Sequence, residues 1–339
     1  MRIGIYTHKL EWPPLEIWSV NAYSVAKTLN ELGEQPMVIY SIREGIDPIN
    51  NLSKMGIESI YFKHSLFEKF DAIYASSPPR PFLYHAFMLS ALLKKPLFFH
   101  LFSITLGPLG NPLLRLMFQK FISKRVILFS VSESHMEFLN KKGISSRILP
   151  PCISDFSNDD AVVPCERTPS ILFIGSSGDK YRGIIELLKA FSLLLEAGFR
   201  VKMTYINKYN QYDDEVLQLA IKLNVRRLID FTGCVENIKN YYQRSSVYAL
   251  PLRGPHPAVY PFTILEAMKY RCPIVASKVP FLTDLLPEDC LVKPFDVENL
   301  AKKLQRAIYD PNYPRPTLPP QFNNHTVCKK LMEHIYTSE

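Results

Sequence analysis

The stretch PFTILEAMKYRCPIVAS, Pro261–Ser277, couples a short helix to a short buried strand. Pro261 suits the opening position of a helix, where its missing N–H leaves no bond unmade. The apolar run PIVAS (273–277) has the length and composition of a strand covered on both faces. Glu266 sits just over one turn inside the helix. The free N–H groups of a first helical turn can bind a phosphate, helped by the helix dipole. A carboxylate one turn deeper can accept the two hydroxyls of a ribose.

The same alternation extends outward in both directions. Upstream lie ILFIGS (171–176), a helix carrying Ile184, Leu187, Leu188, Phe191, Leu194 and Leu195, and then VKMTYIN (201–207), LIDFTG (228–233) and VYALPL (247–252). Downstream are CLVKP (290–294) and a helix near 297–309. The first half reads the same way, with strands at 2–7, 35–41, 58–62, 71–76, 96–102 and 126–132. Apolar strands separated by segments of helical period predict an α/β chain of two Rossmann-like, doubly wound parallel-sheet domains. The stretch PPCISDFSNDDAVVPCERTPS (150–170), with its prolines and acidic cluster, interrupts the pattern and marks the junction. The expected boundaries are therefore 1–152 for the first domain, 153–169 for the linker and 170–310 for the second. DPNYPRPTLPP (310–320) must be an extended connector, and an amphipathic helix follows at about 324–337.

Lys and Arg exceed Asp and Glu, giving 339 residues a net charge of +8. That balance favours anionic partners such as nucleotide phosphates or acidic lipids, and equally describes an ordinary basic surface. The opening RIGIYT is a buried strand followed at once by charge, not a secretory signal. The apolar run at 81–93 is too short to span a bilayer. The six cysteines show no metal-ligand spacing, and reduced thiols in a cytoplasmic protein are expected. Cys152 and Cys165 flank the linker and leave a disulfide there open. No D-x-D motif, no GxGxxG and no Ser-His-Asp arrangement occurs. No metal, no cofactor and no nucleic-acid partner are expected.

The 261–277 segment resembles the signature of retaining glycosyltransferases of family 4, whose fold is GT-B: two Rossmann-like domains facing a central cleft. The family has a Glu-x7-Glu motif with LEAM around the second Glu, then a proline-led strand ending in VAS. Other segments follow the family's order and spacing. ILFSVSESHMEFLNKKGI (127–144) is similar to its sixth strand and next helix, and ILFIGSSGDKYRGIIELLKAF (171–191) to its phosphate-binding loop and helix. ENIKNYYQRSSVYALPLR (236–253) is similar to the helix and strand before the donor site. FNNHTVCKKLMEHIY (322–336) is similar to the terminal helix, 321–339, that crosses back onto the first domain.

The resemblance implies a hexosyltransferase-type enzyme. It would move a sugar from a nucleotide-diphosphate-sugar, which is a substrate and not a cofactor, to a glycan, lipid or small-molecule acceptor. It places Gly175, Lys180, Arg182, Phe262, Thr263 and Glu266 at the donor. Arg182 would clamp the diphosphate with its planar fork, assisted by Lys180. Thr263 would offer its hydroxyl and N–H to phosphate, or simply cap the helix. His100, at a strand end, matches a family histidine that contacts the donor sugar, and stands as the catalytic candidate. A lone His in an apolar run also reads as a core residue. His256, in RGPHP before the helix, is a second candidate for sugar contact.

The chain also departs from the family. Ala258 stands where the first motif Glu belongs, Ser176 follows the loop glycine in place of Arg, and Glu16-Ile17 replaces a glycine pair. Those departures describe a divergent member, and they support the rival reading of a non-catalytic binding or partner subunit. A nucleotide-sugar epimerase is a third reading, without support from LEAM. In NPLLRLMFQKFISKRV (111–126), Leu113, Leu116, Met117 and Phe121 share one helical face, with Arg115, Lys120, Lys124 and Arg125 elsewhere. It reads as a core-packed helix with a basic face, or as a peripheral contact with anionic membrane at the inner leaflet.

Overall fold

The computed structural model describes residues 1–12, 17–45, 47–62, 69–76, 96–102, 111–117, 126–153, 168–175, 182–207, 214–235, 237–254 and 260–338. The chain divides into two compact units. One draws on Met1–Asn158 and Pro319–Glu339, the other on Asp159–His256 and Tyr260–Leu318.

The first unit carries β1 (Arg2–Trp12), α1 (Ile17–Glu31), β2 (Gln35–Gly45), α2 (Pro48–Lys54), β3 (Glu58–Tyr61), β4 (Ala72–Ser76), β5 (Leu97–Leu101), α3 (Pro112–Met117), β6 (Val126–Ser130), α4 (Glu133–Lys141) and β7 (Arg147–Ile148). Every strand pair is parallel, and the described order is β3-β2-β1-β4-β5-β6-β7. Every residue of β4 and of β5 is buried, which is why these strands lack the alternation of a one-faced sheet. β1 runs past the apolar segment to Trp12, because its pairing with β2 continues to Trp12 opposite Gly45. β7 is a two-residue strand with one exposed residue, too short to leave an apolar signal.

The second unit carries β8 (Ser170–Gly175), α5 (Ile184–Glu196), β9 (Lys202–Asn207), α6 (Asp214–Lys222), β10 (Ile229–Thr232), α7 (Ile238–Arg244), β11 (Val247–Leu250), α8 (Phe262–Lys269), β12 (Ile274–Ser277), β13 (Leu291–Val292) and α9 (Val297–Tyr309). Its order is β10-β9-β8-β11-β12-β13, again parallel throughout. In both sheets the strand order reverses once, between β1 and β4 and between β8 and β11. Open α/β sheets bind ligands beyond the carboxyl ends of the strands at such a reversal.

The last helix, α10 (Asn324–Tyr336), belongs to the first unit. Val327, Cys328, Leu331, Met332 and Ile335 join that unit's core. Asn324 anchors the helix start: its Oδ1 accepts from the N–H of Ile153 at 3.0 Å and its Nδ2 donates to the Ile153 carbonyl at 3.0 Å. Cys152 faces Cys328, Sγ to Sγ 3.8 Å, and both are free thiols; Cys165 lies outside the described residues.

Two expectations need correction. Pro261 is the residue before α8 and not its first helical residue, because its ψ of 120° is extended. In the 111–126 segment the described helix is the six-residue α3, and residues 118–125 lie outside the described set. Leu113 and Leu116 are 66% and 59% exposed, so they do not pack into a core. No described helix is long and apolar enough to cross a membrane.

Candidate active site

β8 ends on Gly175, where a Cβ would stand 2.7 Å from the Phe173 ring. Residues 176–181 lie outside the described set, and with them Lys180. The chain resumes at Arg182, whose Nη1 donates to the carbonyl of Ile174 at 3.1 Å. The guanidinium is thereby held at the end of β8. Gly183 follows with φ of 74° and caps the N-terminus of α5. It lies against Pro251, just past β11, so the loop after β8 and the end of β11 are locked together.

A second lock lies one turn further on. Glu186, almost fully buried, receives Nε of Arg253 at 3.1 and 3.0 Å on its two carboxylate oxygens, and Nη2 at 3.0 Å. The planar fork matches the carboxylate and fixes the start of the segment that runs to α8. The Arg253 guanidinium also stands 6.0 Å from the ring of Phe295.

Glu266 projects from α8 into a cluster of tyrosines and is buried. The Tyr242 hydroxyl of α7 donates to its Oε2 at 3.1 Å. Tyr248, on β11, packs edge-on against Tyr242 with ring centroids 5.5 Å apart. Burial pushes the Tyr248 hydroxyl well above its ordinary range, while the Arg182 charge and the Thr263 hydroxyl pull it back less strongly. Thr263 is the second residue of α8 and not its N-cap, which is Pro261. Phe262, also buried, completes the first turn.

Gly175 and Arg182 therefore lie at the end of β8, a strand of the β8/β11 reversal, while Thr263 and Glu266 lie in α8, where the Tyr242 hydroxyl reaches the carbonyl of the first and the carboxylate of the second. His256 and Ala258 lie outside the described residues. His100 belongs to the first unit and to a different network. Asn21 Nδ2 donates to the Tyr74 hydroxyl at 2.8 Å and to the Ser76 hydroxyl at 3.1 Å, and its Oδ1 accepts from the N–H of Cys152 at 2.8 Å. The Tyr74 hydroxyl and His100 Nδ1 are 2.5 Å apart. Burial lowers the His100 pKa to about 3, with a hydrogen bond to the Leu149 backbone opposing and the neighbouring His135 reinforcing. The His100 ring is fully buried, next to the last residue of β5.

The residues missed by sequence reading are Tyr242, Tyr248, Glu186 and Arg253. Tyr242 carried a usable signal: a tyrosine in a buried helix–strand unit needs a partner for its hydroxyl. Among the described residues no cluster of three or more His, Cys, Asp or Glu has a metal-binding arrangement.

Residues 168–310 match the family model described as Glycosyl transferases group 1. The chain is 99% covered by Anabaena Alr3699/HepE in complex with UDP and glucose, at 16% identity, a TM-score of 0.76 and 99% coverage of that chain. The glycosyltransferase from Rickettsia africae ESF-5 covers 99% at 16% identity and a TM-score of 0.73, over 98% of its own length. The fold is GT-B. The residues that match the family model include Arg182, Tyr248 and Glu266. Among curated proteins, Protein CapJ of Staphylococcus aureus is 26% identical over 144 residues, 41% of this chain. The alignment spans 35% of the length of that relative.

Proposed function

We propose that the protein transfers a sugar from a nucleoside diphosphate sugar to an acceptor hydroxyl, with retention of anomeric configuration, as a member of family 4. The observation that carries the reading is the buried Glu266 carboxylate, held by the Tyr242 hydroxyl at 3.1 Å, together with the Arg182 guanidinium held at the end of β8, both within residues 168–310 that match the glycosyltransferase group 1 model. The carboxylate suits the ribose hydroxyls and the guanidinium suits the diphosphate. Uridine diphosphate is the favoured nucleotide, because HepE, of the same fold, has been seen with UDP and glucose.

Departure of the diphosphate concentrates negative charge on its outer oxygens. Arg182 and Lys180 would neutralise that charge within a partly dry site, where fixed cations act most strongly. The reading assigns this screening to side chains rather than to a bound metal ion. The remaining task is to hold donor and acceptor in line, which by itself supplies much of a transfer rate. The first unit is assigned to the acceptor, a glycan, lipid or small molecule.

Exposed Leu113 and Leu116, beside the basic run 120–125, support contact with an anionic membrane surface. A cytoplasmic location is part of the same reading, in which Cys152 and Cys328 face one another at 3.8 Å as thiols.

One observation favours a second reading. Ala258 replaces the first motif glutamate, as in a subunit that binds a nucleotide-sugar without turning it over. The deciding experiment incubates the full chain with a panel of uridine, guanosine and adenosine diphosphate sugars. Release of nucleoside diphosphate, with the freed or transferred sugar keeping the donor's anomeric configuration by NMR, supports the enzyme. Binding without release, in the presence of a lysate-derived acceptor pool, supports the second reading. No binding to any donor contradicts both.

A further inference from the structure

The Tyr242 hydroxyl has one hydrogen and two acceptors within reach: Glu266 Oε2 at 3.1 Å and the Thr263 carbonyl at 3.0 Å. Its ring cannot swing away. It is fully buried, with Tyr248 edge-on at 5.5 Å and Tyr270 stacked at 5.8 Å. Burial, and then the negative charge of Glu266, push this hydroxyl well above the usual tyrosine range, so it remains a donor under all working conditions. A glutamate side chain is rotamer-rich, and freezing it when a ligand arrives subtracts from affinity. Here a rigid neighbour on α7 holds it beforehand.

We infer that Tyr242 is a positioning residue for nucleotide recognition: its hydroxyl fixes the Glu266 carboxylate in the orientation that receives the ribose hydroxyls. The inference rests on reading Glu266 as the ribose ligand. The contact also ties α7 to the first turn of α8, because Thr263 and Glu266 share the same donor. Tyr242 therefore sets the discrimination between ribonucleotide and deoxyribonucleotide, and not overall nucleotide affinity alone.

The test is calorimetric titration of the full chain, wild type and Tyr242→Phe, with uridine diphosphate and with 2′,3′-dideoxyuridine diphosphate. Phe keeps the ring packing and removes only the hydroxyl. The expected result is about tenfold weaker binding of uridine diphosphate by the variant, with binding of the dideoxy analogue unchanged. Equal losses for both nucleotides, or no loss for either, overturn the positioning role. Wild-type protein that binds neither nucleotide overturns the donor-site reading and this inference with it. An affected Glu266→Ala beside an unaffected Tyr242→Phe overturns the role of Tyr242 alone. Should Tyr242→Phe fail to fold, Glu266→Ala is compared with Glu266→Ala/Tyr242→Phe, in which neither partner is left unpaired. The two should bind uridine diphosphate equally, and a further loss in the double variant contradicts the inference.

Discussion

Gly183 lies so close to Pro251 that a Cβ on the glycine would stand 1.7 Å from the Pro251 carbonyl oxygen. The contact joins the turn after β8 to the end of β11, the two strands that flank the reversal in the second sheet. The glycine is needed twice over, for this approach and for its φ of 74°.

Gly183→Ala must therefore push Pro251 aside and strain its own backbone. Chemical denaturation of the variant should show the second unit destabilised by about 3 kcal/mol or more. An unchanged unfolding midpoint would show that the loop accommodates a methyl group, and that the two strands are not locked here.

Arg182 offers a planar fork that a lysine cannot reproduce. Its hold on the Ile174 carbonyl aims that fork from the end of β8. Arg182→Lys keeps the charge, yet should bind uridine diphosphate roughly tenfold more weakly in calorimetry. Equal affinity would take Arg182 out of the diphosphate site.

The buried His100 makes the first unit sensitive to acid. Its folded-state pKa of about 3 lies below the ordinary value of roughly 6.5, so between those limits the unfolded chain takes up a proton that the folded chain refuses. Stability is fully present above the unfolded value and is lost as pH falls through the window, by at most about 1.4 kcal/mol per pH unit for this group. His334, lowered by burial and by the Arg147 charge, adds in the same direction. Denaturant melts at pH 5 and pH 6.5 should therefore differ more for wild type than for His100→Gln. Identical differences in the two proteins would mean that His100 is protonated within the fold.

The alternation of apolar strands and helical segments was enough to read both sheets, because burial on both faces removes any need for polar residues along a strand. Glu266 and Arg182 were singled out by the resemblance of the LEAM segment and of the loop after β8, and the structure sets Arg182 at the end of β8 and Glu266 inside α8. The Tyr242 hydroxyl and the Glu186–Arg253 pair were not legible, since each joins residues far apart in sequence that meet only after the sheet forms. For His100 the strand-end position was legible, but its tie to Tyr74 on the adjacent strand and, through Tyr74, to Asn21 on α1 was not. The short β7 left no periodic trace at all.

The central claim is that the second unit holds a nucleoside diphosphate through Glu266. Glu266→Ala leaves Tyr242 with the Thr263 carbonyl as acceptor, so the variant should fold and the measurement reports binding. Calorimetric titration of wild type and Glu266→Ala with uridine diphosphate is the direct measurement. The account predicts a loss of about 1.5–3 kcal/mol of binding free energy, the range for a hydrogen bond to a charged group. A folded Glu266→Ala that binds uridine diphosphate as tightly as the wild type would contradict it.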